Sequence, residues 1–257
     1  MVQTGTIRAA FARDAPLPAL RLLAPAKINL VLEILGPRAD AYHEVRTVLQ
    51  AVSLCDELIF EPAAGLSLSV EPAGAAPMRD NLVLLAAERL RHQKDDTPGA
   101  AITLRKRIPM AAGLGGGSSD AAAALLGLSQ LWDMRLSLAE LAAIAADLGS
   151  DVPFFLGGGT ALGEGRGERL SPLPGPVERS AVILTPREPD DGEKTKRLYG
   201  SLQPAHYSSG RLAGALVNRL HTGRPVADAM VNTFELVAAQ AFPEYSAARA
   251  QLVQTGA

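Results

Sequence analysis

The stretch Pro109-Met-Ala-Ala-Gly-Leu-Gly-Gly-Gly-Ser-Ser-Asp120 contains four glycines within five positions and runs directly into the alanine- and leucine-rich residues 121–126. Glycine lets the backbone adopt a positive φ and approach a ligand closely. Serine and aspartate are frequent N-cap residues, and alanine favours a helix. We therefore expect a glycine loop that opens into a helix N-terminus, where free N–H groups and the helix dipole attract phosphate. The sequence predicts a nucleotide-binding site at this loop.

The spacing of the loop distinguishes it from two common phosphate-binding motifs. A Walker A loop needs a lysine before its Ser or Thr, but Ser118 follows the glycines here and no lysine follows it. A Rossmann fingerprint needs a third glycine at that same position. The preceding residues 101–108 alternate apolar and polar side chains, which is typical of a half-buried strand. The unit is therefore a strand, Pro109, a glycine loop and a helix.

Composition limits the classes of partner. The 257 residues include 47% hydrophobic residues, enough for one large domain or two smaller ones. The formal net charge of −2 and the 4% of aromatic residues argue against a nucleic-acid partner. The single cysteine, Cys55, excludes an internal disulfide, and no Cys/His spacing indicates a metal site. With no membrane-length apolar stretch and no secretory signal, we expect a cytoplasmic protein without a membrane partner.

Periodicity predicts strands and helices without regular βαβ alternation, which is typical of the α+β class. Strands are predicted at residues 20–23, 28–35, 45–54, 101–108 and 181–184, with a hairpin at 58–61 and 66–70. Helices are predicted at residues 80–91, from the glycine loop to 132, and at 137–149, 211–220 and 233–240. Residues 171–176 contain three prolines within five positions, which predicts a domain boundary there.

Three motifs carry a family resemblance. They are Ala24-Pro-Ala-Lys-Ile-Asn-Leu30 with Tyr42-His43 downstream, the glycine loop, and Gly149-Ser-Asp-Val-Pro-Phe154. On these motifs the chain resembles the GHMP kinase superfamily, which includes galactokinase and the homoserine, mevalonate and phosphomevalonate kinases. Within it, the combination resembles the subfamily of 4-diphosphocytidyl-2-C-methyl-D-erythritol kinases.

The resemblance implies an α+β fold of two domains, namely an N-terminal α/β sandwich with the ATP site in residues 1–170 and a smaller C-terminal α+β domain in residues 171–257. ATP would donate its γ-phosphoryl group, with Mg²⁺ as cofactor, to a hydroxyl of the methylerythritol part of a cytidyl diphosphate substrate in the non-mevalonate isoprenoid pathway. A homodimer is one expected assembly. Two alternatives stay open, namely another small-molecule kinase of the homoserine or mevalonate type, and an inactive nucleotide-binding relative.

The resemblance assigns catalysis to Asp151 and Lys27. A carboxylate within reach of the attacking hydroxyl can accept its proton, although the loose transition state of phosphoryl transfer asks little of a base. Asp151 also precedes Val152 and Pro153, where it would be a plain helix cap. Lys27 would lie near Asp151 and support charge on the phosphoryl oxygens, or else be a solubilising residue at a strand edge.

The resemblance also implies substrate contacts from Asn29, Tyr42 and His43. Asn29 would face the same side of the strand as Lys27, and it is alternatively a satisfied strand amide. Tyr42 and His43 would hold the cytosine by stacking and a hydrogen bond, or else flank a turn. Ala41 stands where relatives usually carry glycine, and a positive φ at that position would cost about 1–2 kcal/mol.

The ATP site implied by the resemblance comprises Pro109, Met110, Ala111, Ala112, Gly113, Leu114, Gly115, Gly116, Gly117, Ser118 and Ser119, with Asn81 and Lys106 near the adenine. Ser118 or Ser119 would contact Mg²⁺ or a phosphate oxygen, or cap the helix. The alternative for Lys106 is a solvated strand charge, and for Asn81 an N-terminal helix residue. Relatives continue past position 257 into a third glycine-rich motif, so we expect the C-terminal domain to be truncated.

Overall fold

A computed structural model describes residues 19–76, 78, 80–93, 97–176, 180–185, 194–242, 249–252 and 254. The strands are β1 Leu20–Pro37, β2 His43–Ala63, β3 Leu66–Glu71, β4 Gly99–Arg105, β5 Thr160–Gly165, β6 Arg169–Leu173 and β7 Val231–Asn232. The helices are α1 Leu82–Arg91, α2 Gly116–Leu131, α3 Leu138–Leu148, α4 Val152–Gly157, α5 Lys194–Gly200, α6 Arg211–His221 and α7 Glu235–Ala241. This mixture has the predicted α+β character.

The strands form one mixed sheet in the order β3-β4-β2-β1-β7. The long antiparallel pair of β1 and β2 is its centre. One end of β2 also pairs with β4 and the other end with β5, which in turn pairs with β6. The β3–β4 and β1–β7 pairs are parallel. The site residues 27–29 of β1 pair with β2, and β7 pairs with β1 only at Val31 and Leu32.

Helices pack against the sheet through two clusters. Val48 and Leu49 are neighbours on β2 and belong to different clusters, because successive strand residues point to opposite faces. Leu49 packs with residues of α1 to α4, and Val48 packs with residues of α6. At Gly127 the helix α2 approaches β2 so closely that a Cβ would lie 2.4 Å from Phe60 Cε2. This contact sets the depth of α2 against the sheet.

The predicted hairpin of residues 58–61 and 66–70 is wrong. β3 is parallel to β4, and β4 lies between β3 and β2. The helix α1 connects β3 to β4, as a parallel pair requires a crossover. Alternation of apolar residues indicates that a segment is a strand but carries no information about its neighbour.

Several predicted boundaries also shift. The separate segments 20–23 and 28–35 are parts of one strand, β1, which continues past a register irregularity between Pro25 and Lys27. The proline-rich residues 171–176 begin inside β6, where Pro172 is tolerated because β6 extends the β5 edge of the sheet. Residues 181–184 form no strand. The domain division near residue 170 stays a prediction.

Candidate active site

The glycine loop lines a cleft of about 370 Å³ beside the N-terminus of α2. The cleft is lined by residues 109–118, Asn81 and Lys106, so the structure brings together every predicted ATP-site residue except Ser119. Gly113 and Gly115 have φ values of 75° and 70°. A Cβ on Gly115 would lie 2.8 Å from Phe155 Cζ and 3.0 Å from Lys27 Cγ. Glycine is therefore required at 115 both by the backbone conformation and by the close approach of α4 and β1.

The helix after the loop begins earlier than predicted. Its first residue is Gly116 and its N-cap is Gly115, which makes no side-chain cap bond. Ser118, Ser119 and Asp120 lie inside the helix, so the prediction that they cap it is wrong. The left-handed Gly115 turns the chain into the helix without a side-chain cap. Ser118 lines the cleft, whereas Ser119 is fully buried and its hydroxyl has no hydrogen-bond partner among the described residues.

Lys27, Asn29 and Asp151 form a continuous polar contact, as predicted. The Lys27 Nζ donates to Asn29 Oδ1 at 3.0 Å and lies 3.5 Å from Asp151 Oδ2. Asn29 in turn donates to Thr47 Oγ1 at 2.8 Å. Register irregularities in β1 on either side of residues 27–29 re-aim this part of the strand. The alternative of a solubilising strand-edge residue is wrong for Lys27, since its side chain is only 10% exposed and contacts Asn29 and Asp151.

The Lys27–Asp151 contact is coupled to the glycine loop. The backbone N–H of Lys27 donates to the carbonyl of Leu114 at 2.9 Å, which fixes the loop to β1. Asp151 occupies the N-cap position of α4 but makes no side-chain cap bond, so the helix-cap alternative is not supported. Its side chain is 37% exposed, while Phe154 and Phe155 of the same helix are buried. One side of the Asp151 carboxylate therefore faces a buried cation, and the group keeps access to solvent.

Lys106 is buried, which contradicts the solvated alternative. Its Nζ donates to Asp56 Oδ2 at 2.5 Å and to Asp120 Oδ2 at 2.7 Å. Burial is the largest influence on Asp120 and raises its pKa; the Asp56 charge acts in the same direction, Lys106 opposes it, and the pKa is about 7. Burial lowers the pKa of Lys106, but the two carboxylates outweigh this effect and raise it overall. Neither carboxylate was predicted as a partner of Lys106, because Asp56 is distant in sequence and Asp120 resembled a helix cap.

Asn81 is the N-cap of α1 and accepts a hydrogen bond from the backbone N–H of Val83 at 3.0 Å. The predicted cap was Asp80, one residue earlier. The N-terminal helix alternative for Asn81 is therefore correct, and the residue also lines the cleft. The two interpretations are compatible, because a residue that caps a helix can also line a cleft.

Tyr42 and His43 contact different partners. Ala41 has a φ of 64°, the strained conformation considered from the sequence. Tyr42 is 53% exposed and the guanidinium of Arg166 lies 4.7 Å from its ring centroid. His43 stacks on Tyr199, with centroids 4.8 Å apart and planes at 26°. The two predicted substrate residues therefore belong to two separate aromatic contacts, one with Arg166 and one with Tyr199.

Tyr199, the ring on which His43 stacks, is affected by its burial and by the charge of Asp151. Burial, followed by the negative charge of Asp151, raises the pKa of Tyr199 to about 12. Tyr199 lies on α5, a helix that the sequence analysis did not predict. Its ring also packs edge-on against Phe234, at 4.9 Å between centroids. The only signal in the sequence for a role of Tyr199 was its residue type, because the chain has only four tyrosines.

Within the described ranges, no group of three or more His, Cys, Asp or Glu side chains is arranged to hold a metal ion. Among those same residues, no helix has both the length and the apolar character needed to span a membrane.

The chain is similar to known kinases in sequence. Residues 81–159, which contain the glycine loop and Asp151, match the family model described as the GHMP kinases N terminal domain. A 4-diphosphocytidyl-2-C-methyl-D-erythritol kinase of Dehalococcoides mccartyi is 42% identical over 239 residues, covering 93% of this chain and 84% of the relative. The chain belongs to the 4-diphosphocytidyl-2-C-methyl-D-erythritol kinase family.

Further relatives of this kinase family agree with the assignment. The enzyme of the same name from Pelotomaculum thermopropionicum is 44% identical, over 91% of this chain and 82% of the relative. A crystal structure of a 4-(cytidine 5'-diphospho)-2C-methyl-D-erythritol kinase superposes with a TM-score of 0.71 at 35% identity, over 92% of this chain and 83% of that one. A homoserine kinase from Cytophaga hutchinsonii, at 17% identity and a TM-score of 0.59 over 87% and 74% of the two chains, shares the fold. The predicted GHMP kinase fold and α+β class are confirmed.

Proposed function

We propose that this chain is an ATP-dependent kinase that phosphorylates a hydroxyl of 4-diphosphocytidyl-2-C-methyl-D-erythritol, on the route to isoprenoid precursors that does not use mevalonate. The observation that carries the proposal is the contact between Lys27 and Asp151 beside a glycine loop, in a member of this kinase family. Family membership supports the reaction, and the geometry supports the roles of individual residues.

Asp151 is proposed to orient the attacking hydroxyl and to accept its proton. Its carboxylate is 37% exposed, which leaves it accessible to a substrate hydroxyl, and the Lys27 ammonium lies 3.5 Å from it. Lys27 is also tied to the loop through the carbonyl of Leu114. Charge that develops on the transferred group would therefore lie near a cation that needs little reorganisation.

The ATP phosphates are proposed to bind across the glycine loop at the N-terminus of α2. The free N–H groups of this end and the positive end of the helix dipole attract phosphate. Asn81 and Leu82, at the start of α1, form another wall of the same cleft and are proposed to lie beside the adenine. An exposed Met110 at the rim adds apolar surface.

Mg²⁺ is proposed as the accompanying ion. It usually keeps several waters and is held by substrate phosphates with one or two protein oxygens, so the lack of a three-residue ligand cluster among the described residues fits it. Ser118 lines the cleft and offers the hydroxyl best placed for this role, whereas the buried Ser119 hydroxyl does not line it. When bound, the ion would neutralise phosphate charge.

The cytidine part of the substrate is proposed to bind near His43 and Tyr199. Their stacked rings provide an apolar surface with polar edges, and stacking of a base on an aromatic ring contributes about 1–3 kcal/mol. Tyr42, with Arg166 over its ring, is the second candidate surface. We expect His43→Ala to raise the KM of the cytidyl substrate at least tenfold and to leave the KM of ATP within about twofold.

A homodimer and a cytoplasmic location are further expectations for this kinase. Sedimentation velocity at several concentrations would test the first, and fractionation of cells would test the second. Neither expectation affects the assignment of the reaction.

The deciding experiment measures ADP release from Mg·ATP with and without the cytidyl substrate, for the natural chain and for Asp151→Asn. Turnover that requires the cytidyl substrate and is lost in the variant supports the proposal. Homoserine and mevalonate serve as competing acceptors, and turnover with either one alone would replace the proposed substrate. ATP binding without turnover on any acceptor would favour an inactive nucleotide-binding relative.

A further inference from the structure

The two ends of the glycine loop are joined by a buried ionic cluster that the proposed reaction does not use. Lys106 precedes the loop, and Asp120 lies in α2 directly after it. The Lys106 Nζ lies 2.7 Å from Asp120 Oδ2 and 2.5 Å from Asp56 Oδ2. Asp56 comes from β2 at the centre of the sheet, so the cluster connects both loop ends to the rigid part of the fold.

Asp56 also holds the backbone that leads into the loop. Its Oδ1 accepts a hydrogen bond from the backbone N–H of Ile108 at 2.8 Å, and a second one from the backbone N–H of Arg107. These charge-assisted bonds are stronger than neutral ones. Asp56 therefore fixes the segment immediately before Pro109 twice, through the side chain of Lys106 and through the backbone N–H groups of Arg107 and Ile108.

The three side chains are almost completely enclosed. Their exposed fractions are 6% for Lys106, 0% for Asp56 and 3% for Asp120. A Cβ on Gly116 would lie 3.2 Å from the Lys106 Nζ, so the ammonium sits directly against the first residue of α2. Two carboxylates face one ammonium, and in their ionised forms the cluster carries an excess negative charge. A site built to bind phosphate directly through Lys106 would instead present an excess of positive charge.

We propose that Asp56, Lys106 and Asp120 form an ionic clamp that fixes the two ends of the glycine loop and so sets its affinity for nucleotide. The three are positioning residues, since they act through the loop backbone rather than through an ion pair with the nucleotide. The inference rests on the proposed binding of ATP at this loop. Preorganisation of a binding loop raises affinity because less conformational entropy is lost on binding.

The clamp and a direct role for Lys106 predict effects of opposite sign. If Lys106 contacts the nucleotide directly, removal of Asp120 frees the ammonium, makes the cleft more positive and strengthens ATP binding. If the cluster is a clamp, the same removal detaches α2 from the start of the loop and weakens ATP binding. Asp120→Ala separates the two, since alanine is the best helix former and suits this helical position.

The test measures the equilibrium Kd of ATP by calorimetry and the hydrogen exchange of the loop amides. We expect Asp120→Ala to weaken ATP binding about tenfold and to speed exchange across residues 109–118, with kcat at saturating ATP within about threefold because Lys27 and Asp151 are unchanged. Glu71→Ala is the matched control, since it removes a 2.8 Å ion pair with Arg105, next to Lys106, without touching the loop. The control should retain the natural Kd and exchange rates.

Asp120→Asn provides a second variant that keeps the shape and one hydrogen-bond acceptor, in case the alanine variant is poorly folded. It should weaken ATP binding about threefold. Equal or tighter ATP binding in a folded variant, with unchanged exchange of the loop amides, would overturn the clamp while the kinase assignment stands. Failure of the natural chain to bind ATP would overturn the proposed function and the clamp together.

Discussion

Two buried lysines lie on either side of the same glycine loop, and their surroundings differ. Lys27 lies against Gly115 and has Asp151 at 3.5 Å, with that carboxylate partly exposed. Lys106 lies against Gly116 and is held by two carboxylates, both buried and both within 2.7 Å. The first lysine has a loose contact that faces solvent, and the second is enclosed.

This difference separates a reactive environment from a structural one. A partner that is partly exposed and loosely held can exchange its contact for a substrate hydroxyl or a phosphoryl oxygen. A cation with two short ion pairs inside the protein is costly to release, since its partners would be left buried without compensation. Charge and burial alone do not distinguish the two lysines; the exposure of the partner does.

The largest expected effect is on stability, from Lys106→Met. The change leaves Asp56 and Asp120 buried without their cation, and removal of one member of a buried ionic group typically costs about 3–5 kcal/mol. Lys27→Met should cost less than half as much, because Asp151 can be solvated. Urea unfolding of the two variants measures both values. Equal losses would contradict the distinction between the two lysines.

The next effect is on catalysis, from Asp151→Asn and Lys27→Met. We expect kcat to fall about 100-fold to 1,000-fold in each, since each removes a group that we propose to lie beside the transferred phosphoryl group. The KM of ATP should stay within about threefold. Steady-state ADP release at saturating substrates is the measurement. A variant that keeps more than a tenth of the natural kcat would remove that residue from the chemistry.

A smaller effect is expected at Gly115, the glycine against which Lys27 packs. Gly115→Ala places a Cβ at a positive φ and against Phe155, which should lower the free energy of unfolding by about 1–2 kcal/mol or more. Gly117→Ala is the matched control, because its Cβ would meet Leu82 at an ordinary 3.7 Å. Chemical denaturation compares the two. If Gly117→Ala is as destabilised as Gly115→Ala, the loss of stability comes from adding a methyl group anywhere in this loop and not from the particular conformation and contacts of residue 115.

The smallest effect is expected away from both lysines, at the turn before His43. Ala41 has a φ of 64°, which glycine adopts without strain, so Ala41→Gly should stabilise the protein by up to about 1 kcal/mol. Thermal unfolding detects such a shift. A lower melting temperature in the variant would mean that the flexibility gained by the unfolded chain outweighs the strain relieved.

Several parts of the site could be predicted from neighbouring residues. The glycine loop, the helix after it and the helix predicted at 137–149 depend on local conformational preferences, and all three are present. The failures concern partners and caps. The hairpin prediction failed because strand pairing is not local. The caps predicted at Ser118 and Ser119 failed because Gly115 already turns the chain into the helix.

The sequence by itself determined the class of fold, the family and the candidate reactive residues, because these depend on residue types at short spacing. Only the tertiary structure decided which lysine has a solvent-exposed partner, since Asp56 lies fifty residues before Lys106 and Asp120 lies on the far side of the loop. The stacking of Tyr199 on His43 was likewise decided by packing of α5 against the start of β2. Burial and ion pairing arise from distant segments that meet in the fold, so local patterns carry no record of them.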